Sequence, residues 1–303
     1  MIGRVATFHQ SSRMLGHAMT AQTKMADKQI QSSTGLKAET YAGLGADAAR
    51  VMRLETEIAE AGTRAAAASS ALSRAESLYA AVGSMADLMT SFRASLSGAM
   101  DGDHSEIAIL TTSAAGLLED LAALMNTQVD GRYLLGGSNT TTAPVDLTAL
   151  GVPTVPSTAD TSYYTGDDER AAVNIGGGAR VTYGVTGDSA AFEQAVRSLS
   201  LVATMTTAPV DTAALQEAYE LATQALDGLI ATQGTLSVAA DRLEREVQRE
   251  ETFVALMEDT VTSLKGADAP QVLVELEQYK VQLQATYSAI ATIQGLSLAD
   301  YLR

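Results

Sequence analysis

The chain has 303 residues, a formal net charge of −16 and a pI near 4.5, and it contains neither cysteine nor tryptophan. The acidic balance disfavours nucleic-acid binding, because neutralising phosphates requires clustered lysine and arginine. Without cysteine, disulfides, thiolate catalysis and cysteine-ligated metals are excluded. The length is sufficient for two or three domains, and the scarcity of large aromatic side chains favours close packing of helices.

The first segment, residues 2–31, predicts a long amphipathic helix. Its apolar residues recur at helical spacing: Val5, Phe8, Leu15, Met19 and Ile30. Such a helix requires a partner, because most helical stability in proteins comes from burying an apolar face. Residues 1–38 also carry an excess of positive charge, with Arg4, Arg13, Lys24, Lys28 and Lys37 against Asp27 alone.

The clearest pattern lies in residues 46–97, where apolar residues alternate at spacings of three and four. These residues are Val51, Leu54, Ile58, Ala61, Ala65, Ala68, Leu72, Ala75, Tyr79, Val82, Ala86, Met89 and Leu96, with Arg93 as a polar interruption. So long a heptad pattern predicts coiled-coil-like packing of one helix of roughly 75 Å. Residues 98–104 indicate a turn, and Ile107 to Leu124 predict a second helix that folds back on the first.

The pattern changes at Gly131, where glycine, threonine, proline and aspartate become frequent. Residues 171–175 and 180–185 flank three consecutive glycines and predict two strands joined by a tight turn. Helical periodicity returns near Ser189, breaks near Pro209 and continues to Leu264. The intervening stretch therefore predicts a small β-rich insertion in a helical body.

A final helix is predicted from Pro270 to Arg303, after the break at residues 266–270. Its apolar residues are Leu273, Leu276, Tyr279, Leu283, Tyr287, Ile290 and Ile293. Residues 267–303 carry Asp268, Glu275, Glu277 and Asp300 against Lys280 and Arg303. These charges have two interpretations: ordinary solvated helix faces, or electrostatic complementarity with the basic N-terminal helix that sets their register.

The predicted fold is mainly α, a long coiled-coil-like helical bundle made from both chain ends, with a small β-rich inserted domain. The expected domains are 1–45 with 268–303 for terminal-helix assembly, 46–136 with 188–267 for the helical bundle, and 137–187 for the outer insertion. The two terminal helices are expected to pack together, and in a free monomer to be largely disordered or loosely helical until neighbours cover them.

No catalytic, cofactor-binding or metal-binding residue is assigned, and an enzyme is not expected. His9 and His17 lie eight residues apart on a helix, too far to hold one ion. Residues 101–106 begin like a calcium loop but lack the required Gly, and Thr112 stands where a Glu is needed. The glycines at 176–178 indicate a hairpin turn, and the acids at 167–169 a solvated run.

Four stretches resemble the bacterial flagellin superfamily. They are Thr34-Gly35-Leu36-Lys37 continuing through Tyr41-Ala42-Gly43-Leu44-Gly45-Ala46 to Leu54, Gly131-Arg132-Tyr133-Leu134-Leu135-Gly136-Gly137, Tyr164-Thr165-Gly166-Asp167 followed by a hairpin, and Leu296-Ser297-Leu298-Ala299-Asp300-Tyr301-Leu302. The chain is most similar to hook–filament junction proteins (hook-associated protein 3) of alphaproteobacterial type. It departs from the family in its N-terminal loop, where only Asp47 follows instead of an acidic Asp-Asp-Pro turn, so contacts of that turn are not carried over.

The resemblance implies a structural role in the flagellum. It implies terminal helices that line a tube, a ring of copies between a hook-side junction protein and flagellin, and an outward-facing insertion. It also implies type III export with the help of a cytosolic export chaperone, and an extracellular location. The sequence shows no apolar run of about 20 residues and no signal-peptide core. We therefore expect neither membrane insertion nor a cleaved signal.

The expected assembly interface comprises Val5, Phe8, Leu15, Met19, Leu273, Leu276, Tyr279, Leu283, Tyr287, Ile290, Ile293, Leu298 and Leu302. Two other functions remain open at this point. One is a flagellin, possibly a minor filament subunit, which should grow filaments from seeds. The other is a secreted coiled-coil effector, whose isolated terminal helices should bind membranes.

Overall fold

The structure is a computed structural model that describes the backbone of residues 2–101 and 107–301, and the side chains of residues 9–100 and 107–292. This part is mainly helical, as the sequence predicts. Its α-helices are α1 (Ile2–Thr34), α2 (Ala48–Asp101), α3 (Ile107–Met125), α4 (Ala190–Thr204), α5 (Thr212–Lys265) and α6 (Ala269–Tyr301). Its strands are β1 (Gln128–Val129), β2 (Arg132–Tyr133), β3 (Ala172–Asn174) and β4 (Arg180–Thr182).

The chain divides into two compact units. The terminal unit comprises Met1–Glu60 and Phe253–Arg303, and the central unit comprises Ala61–Thr252. The terminal unit is therefore built from two segments that are far apart in sequence, whereas the central unit is one continuous segment. The two long helices α2 and α5 each contribute residues to both units.

Helix α2 is 54 residues long, which corresponds to about 80 Å. The turn predicted from residue 98 is wrong in part, because the helix continues through Gly98 to Asp101. The rest of the predicted turn, from residue 102 onward, lies outside the described residues. The helix repeat was predicted correctly, but the packing face is shifted in its second half.

In the second half of α2, some of the buried positions differ from the predicted ones by one residue. Tyr79, which the pattern placed on the packing face, is 44% exposed. The buried residues instead follow Ala75, Leu78, Val82, Met85, Met89, Phe92 and Leu96. This series also alternates spacings of three and four, so both series are compatible with the sequence. Phe92 is buried where the prediction had the polar interruption Arg93.

The core of the central unit combines residues from α2, α3, α4 and α5. Its largest fully buried side chains in these helices include Phe92, Phe192 and Leu199. Small residues bring two of the helices close together, since a Cβ on Gly228 of α5 would stand 2.7 Å from Cβ of Ala191 in α4. This is the close helix packing that the aromatic-poor composition predicts.

One described helix, α3, is long and apolar enough to cross a membrane by length and composition. The expectation that no such segment exists is therefore wrong. Leu121 and Met125 are nevertheless fully buried in the core of the central unit, and Ile107 is 2% exposed. A core helix of this composition passes the same test as a membrane span, because both are rich in apolar residues.

Two antiparallel hairpins flank the irregular part of the central unit. Strands β3 and β4 pair Val173 with Val181, as predicted, around the glycines at 176–178. The pair β1–β2 was not predicted; its turn is Asp130-Gly131, with φ of 53° and 72°. These values suit a type I′ turn, in which glycine or aspartate is favoured because both central residues have positive φ.

A buried tyrosine, a half-buried tyrosine and one asparagine hold the irregular segment between the hairpins. The Tyr163 hydroxyl donates to the carbonyl of Gly187 at 2.9 Å, and that of Tyr164 donates to Leu135 at 3.0 Å. Burial raises the pKa of both phenols, that of Tyr164 to about 12. The Asn126 side chain bonds both the amide and the carbonyl of Val145, each at 3.0 Å, so it replaces a strand partner.

An ion pair between a half-buried arginine and a buried glutamate links α2 and α5 in the central unit. Arg64 of α2 forms two hydrogen bonds with Glu250 of α5, at 2.9 and 3.0 Å. Glu250 is 6% exposed, and the Arg64 guanidinium lowers the pKa of its carboxyl. Glu250 is thus a buried carboxylate of α5 whose charge is compensated by this cation.

Candidate assembly surface on the terminal helices

Helices α1 and α6 pack against each other in antiparallel orientation. Three contacts fix the register: Lys28 Nζ lies 2.7 Å from Glu275 Oε2, Lys24 Nζ lies 5.9 Å from the centre of the Tyr279 ring, and Leu283 packs with Ala18 and Ala21. Numbers fall along α1 as they rise along α6, so the helices run in opposite directions. The predicted pairing of the two chain ends is thus present within one chain.

The face of α1 that is covered differs from the predicted stripe. The less exposed positions are Ser11, Met14, Ala18, Ala21, Met25 and Lys28, a heptad series with alternating spacings of three and four. Leu15 and Met19, which were predicted for this face, are 53% and 62% exposed. Small alanines at the centre of a helix pair permit close approach, and a search for large apolar residues overlooks them.

The covered face of α6 is a matching heptad series. It comprises Val272, Leu276, Tyr279, Leu283, Thr286 and Ile290, which are buried or half-buried. Four of the predicted interface residues, Leu276, Tyr279, Leu283 and Ile290, therefore lie on the covered side of α6, toward its partner helix. Two others, Leu273 and Tyr287, are 54% and 51% exposed.

A band of large apolar side chains remains exposed on the two helices. We call it the outer band; it consists of Leu15, Met19, Leu273, Val274, Val281 and Tyr287. Val274 and Val281 are 69% and 61% exposed and were missed, because neither fits the main periodicity of α6. The predicted residues Val5, Phe8, Ile293, Leu298 and Leu302 have side chains outside the described residues.

The outer band makes α6 apolar on two sides, only one of which is covered by α1. A helix that is apolar over most of its circumference is normally buried on all sides. Covering a half-exposed Val, Leu or Met side chain contributes on the order of 1 kcal/mol. The band is thus a surface whose burial is favourable.

The ends of α1 and α5 are joined by a short backbone bridge. The amide of Lys37 donates to the carbonyl of Lys265 at 2.7 Å, and the amide of Ala267 donates to Gly35 at 2.8 Å. Gly35, with φ of 70°, ends α1 in the left-handed conformation that favours glycine. The Lys37 ammonium donates to the carbonyl of Leu264 at 2.8 Å, where the helix dipole attracts a cation.

An ion pair continues this joint toward α2. Glu55 accepts hydrogen bonds from the Lys265 ammonium and, at 2.7 Å, from the Tyr41 hydroxyl. The Lys265 ammonium also lies 5.4 Å from the centre of the Tyr41 ring. Lys265, followed by Tyr41, lowers the pKa of the Glu55 carboxyl, and Glu55 raises the pKa of Lys265.

The charges on the two helices are complementary where they meet. Lys28 lowers the pKa of Glu275, whose other oxygen partner is the Gln271 amide. This contact favours electrostatic complementarity between the two terminal helices, the second interpretation of their charges given above. Both groups remain partly solvated, so the pair specifies register more than it stabilises.

Among the described residues, no group of three or more His, Asp or Glu side chains is arranged to hold a metal ion. His9 and His17 are exposed on α1. The calcium-like stretch at 101–106 lies almost wholly outside the described residues. The feature that distinguishes these helices is the exposed apolar side chains of the outer band.

No protein-family model matches the chain, and none of the curated proteins matches it in sequence. Among solved structures it is similar to FlgL of Bacillus cereus, with 17% identity and a TM-score of 0.49, over 71% of this chain and 97% of that one. It is also similar to a Vibrio parahaemolyticus protein described as a candidate flagellar hook-associated protein, with 12% identity and a TM-score of 0.49, over 73% of this chain and 95% of that one. Similarity at this level assigns no function to the present chain.

Proposed function

We propose that this chain is a structural subunit of the bacterial flagellum that joins the hook to the filament. It assembles into a ring of copies through its terminal helices, between a hook-side junction protein and the first flagellin. The observation that carries the proposal is the outer band, because it places large apolar side chains on paired helices where no other described residue covers them. Neighbouring subunits provide that cover.

The motifs that resemble the flagellin superfamily support the same role. Residues 34–54 build the joint between α1, α5 and α2. The Gly-Arg-Tyr motif at 131–133 forms the turn and second strand of the β1–β2 hairpin, where the helical pattern gives way to irregular structure. Both stretches thus lie at architectural boundaries of the chain, as structural motifs do.

The remaining parts of the proposal follow from the resemblance. The subunit is of the alphaproteobacterial type, leaves the cytoplasm unfolded by type III export, and is held before export by a cytosolic chaperone that covers its C-terminal apolar residues. It resides outside the cell in the flagellum. Its partners are copies of itself, the hook-side junction protein and flagellin, and its role requires no catalysis.

The first experiment is electron microscopy of flagella from a strain that lacks the gene, with flagellin assayed in the medium. Bare hooks with flagellin shed into the medium support the junction role. Hooks with filaments of normal length exclude it. Growth of filaments from purified protein on flagellar seeds would instead identify a filament subunit, and binding of the terminal helices to vesicles would identify a secreted effector.

The outer band is tested in the same strain with a complementing Val281→Asp variant. Val281 is 61% exposed, so the monomer tolerates the charge, whereas burial against a neighbour does not. We expect bare hooks. The matched control is Gln282→Asp, one residue away and also exposed. Normal filaments with Val281→Asp would contradict assembly through this band.

A further inference from the structure

The central unit contains a cavity of about 350 Å³ that the proposed assembly role does not use. It lies between α2, the segment around β2, and the strands β3 and β4. Its volume is within the range of small-molecule sites, which measure roughly 300–1,000 Å³. All its lining residues belong to the central unit, so it is independent of the terminal helices.

The lining is cationic in a strongly acidic protein. Among the described residues, four arginines line the cavity, Arg74, Arg132, Arg170 and Arg180, and Glu169 is the one acidic residue of the lining. The whole chain has 20 basic residues against 36 acidic ones. A local charge of opposite sign to the net charge, in a concave site with low-dielectric walls, attracts anions strongly.

One guanidinium of the cavity has a donor without a partner. Nε of Arg74 is buried and has no hydrogen-bond partner among the described residues. Nε of Arg132 donates a hydrogen bond to the Thr140 hydroxyl at 3.2 Å. Nη2 of Arg180 lies 3.7 Å from Oε1 of Glu169, and both side chains are exposed. A buried donor without an acceptor costs free energy unless a ligand or water supplies one.

The cavity also has polar side chains without charge in its lining. Tyr133, Tyr183 and Thr140 line it, and Tyr183 is 7% exposed. Ser138 also lines it, but its hydroxyl and amide both donate to Asp167, which fixes the loop. Arginine presents a planar fork of donors that matches carboxylate and phosphate oxygens. Four such forks around one cavity match a ligand with more than one anionic group.

We propose that this cavity binds a small multivalent oxyanion, a molecule that carries two or three carboxylate or phosphate groups. Arg74 contacts the ligand from the buried wall, and Arg170 and Arg180 contact it from the open side. The inference goes beyond the proposed structural role and does not depend on it, since the two surfaces share no residue.

The test is isothermal titration of the full-length protein with citrate as the tricarboxylate probe and pyrophosphate as the phosphate probe. Sodium chloride at equal ionic strength corrects for screening. We expect saturable binding of at least one probe, and the stronger one identifies the source of the oxyanion. Absence of saturable binding by both would overturn the proposal.

Variants connect the binding to the cavity. We expect Arg170→Gln and Arg74→Gln each to weaken binding at least tenfold, because each removes a charged hydrogen-bond donor. The matched control is Arg242→Gln, an exposed arginine of α5 outside the cavity, which should bind as the wild type does. Equal weakening in the control would overturn the proposal. Arg170 is exposed, so this variant decides the question even if Arg74→Gln does not fold.

Discussion

Two glycines of the motif that spans residues 131–137 have a backbone conformation that favours glycine. Both Gly131 and Gly137 have φ near 70°, a conformation that other residues adopt at a cost. Their surroundings differ: a Cβ at Gly131 meets nothing within 4 Å, whereas one at Gly137 would stand 2.0 Å from Oδ1 of Asp167. Asp167 in turn holds Ser138 through two hydrogen bonds.

We therefore expect the two alanine substitutions to differ in stability. Gly131→Ala should cost about 1–2 kcal/mol, the strain of the left-handed backbone. Gly137→Ala should cost at least about 1 kcal/mol more, because it also displaces Asp167 from Ser138. Urea denaturation of both variants measures the difference. Equal free energies of unfolding would show that Asp167 moves aside at no cost.

At the scale of elements, the joint of Glu55, Lys265 and Tyr41 gives the terminal unit a pH dependence. The pKa of Glu55 is lower in the folded chain than its ordinary value of 4.5. Its stabilising contribution is therefore present above about pH 4.5 and is lost as the pH falls through the folded-state pKa. Lys265 has a raised pKa, so its contribution is lost only on the alkaline side.

We expect Glu55→Gln to lower the melting temperature relative to the wild type at pH 7, and the difference to narrow as the pH falls from 5 to 3. Thermal melting monitored by circular dichroism at several pH values measures this. Glu57→Gln is the control, because Glu57 is exposed on the same helix. A difference that is constant with pH would mean that Glu55 acts through packing rather than charge.

The elements show how far the sequence can predict this fold. Heptad spacing correctly predicted the long helices, because apolar periodicity determines which residues a helix buries. It could not choose between Leu78 and Tyr79, since both series keep the same spacing. The β1–β2 hairpin escaped prediction because two-residue strands leave no periodicity, although Asp130-Gly131 is a recognised turn signal.

The sequence predicted only part of the candidate surface, and the reason is related. The covered face of α1 uses Ala18 and Ala21, whose small side chains carry a weak signal in any hydrophobicity pattern. Val274 and Val281 lie off the main stripe of α6, and only burial in three dimensions shows that they are exposed. The arginine cavity escaped prediction because its four arginines come from sequence positions as distant as 74 and 180.

At the scale of the whole molecule, folding and assembly are expected to depend on different residues of α6, which lie two positions apart. Leu283 is 7% exposed and packs with Ala18 and Ala21, whereas Val281 is 61% exposed. We expect Leu283→Asp to destabilise the α1–α6 pair in the monomer, by roughly 3–5 kcal/mol for an unpaired buried charge. Val281→Asp should leave the pair intact.

Amide hydrogen exchange on the two purified monomers measures this difference. Residues 9–34 and 269–292 should lose protection in Leu283→Asp and keep it in Val281→Asp, while the central unit stays protected in both. Equal protection in the two variants would contradict the packing of Leu283 against α1. Both variants are expected to fail in assembly, but for different reasons.

The discontinuity of the terminal unit has a consequence for the order of events during synthesis. The central unit, Ala61–Thr252, is complete before the ribosome reaches Phe253, and its contacts form within one continuous stretch. Helix α1 must wait for α6, because Lys28 and Glu275 are separated by almost the entire chain. Pairing two segments so far apart in sequence costs loop-closure entropy. A folded central unit lowers this cost, because it shortens the effective loop between the two segments. A nascent or truncated chain therefore exposes α1 without its partner, and only a full-length chain presents the paired helices with their outer band.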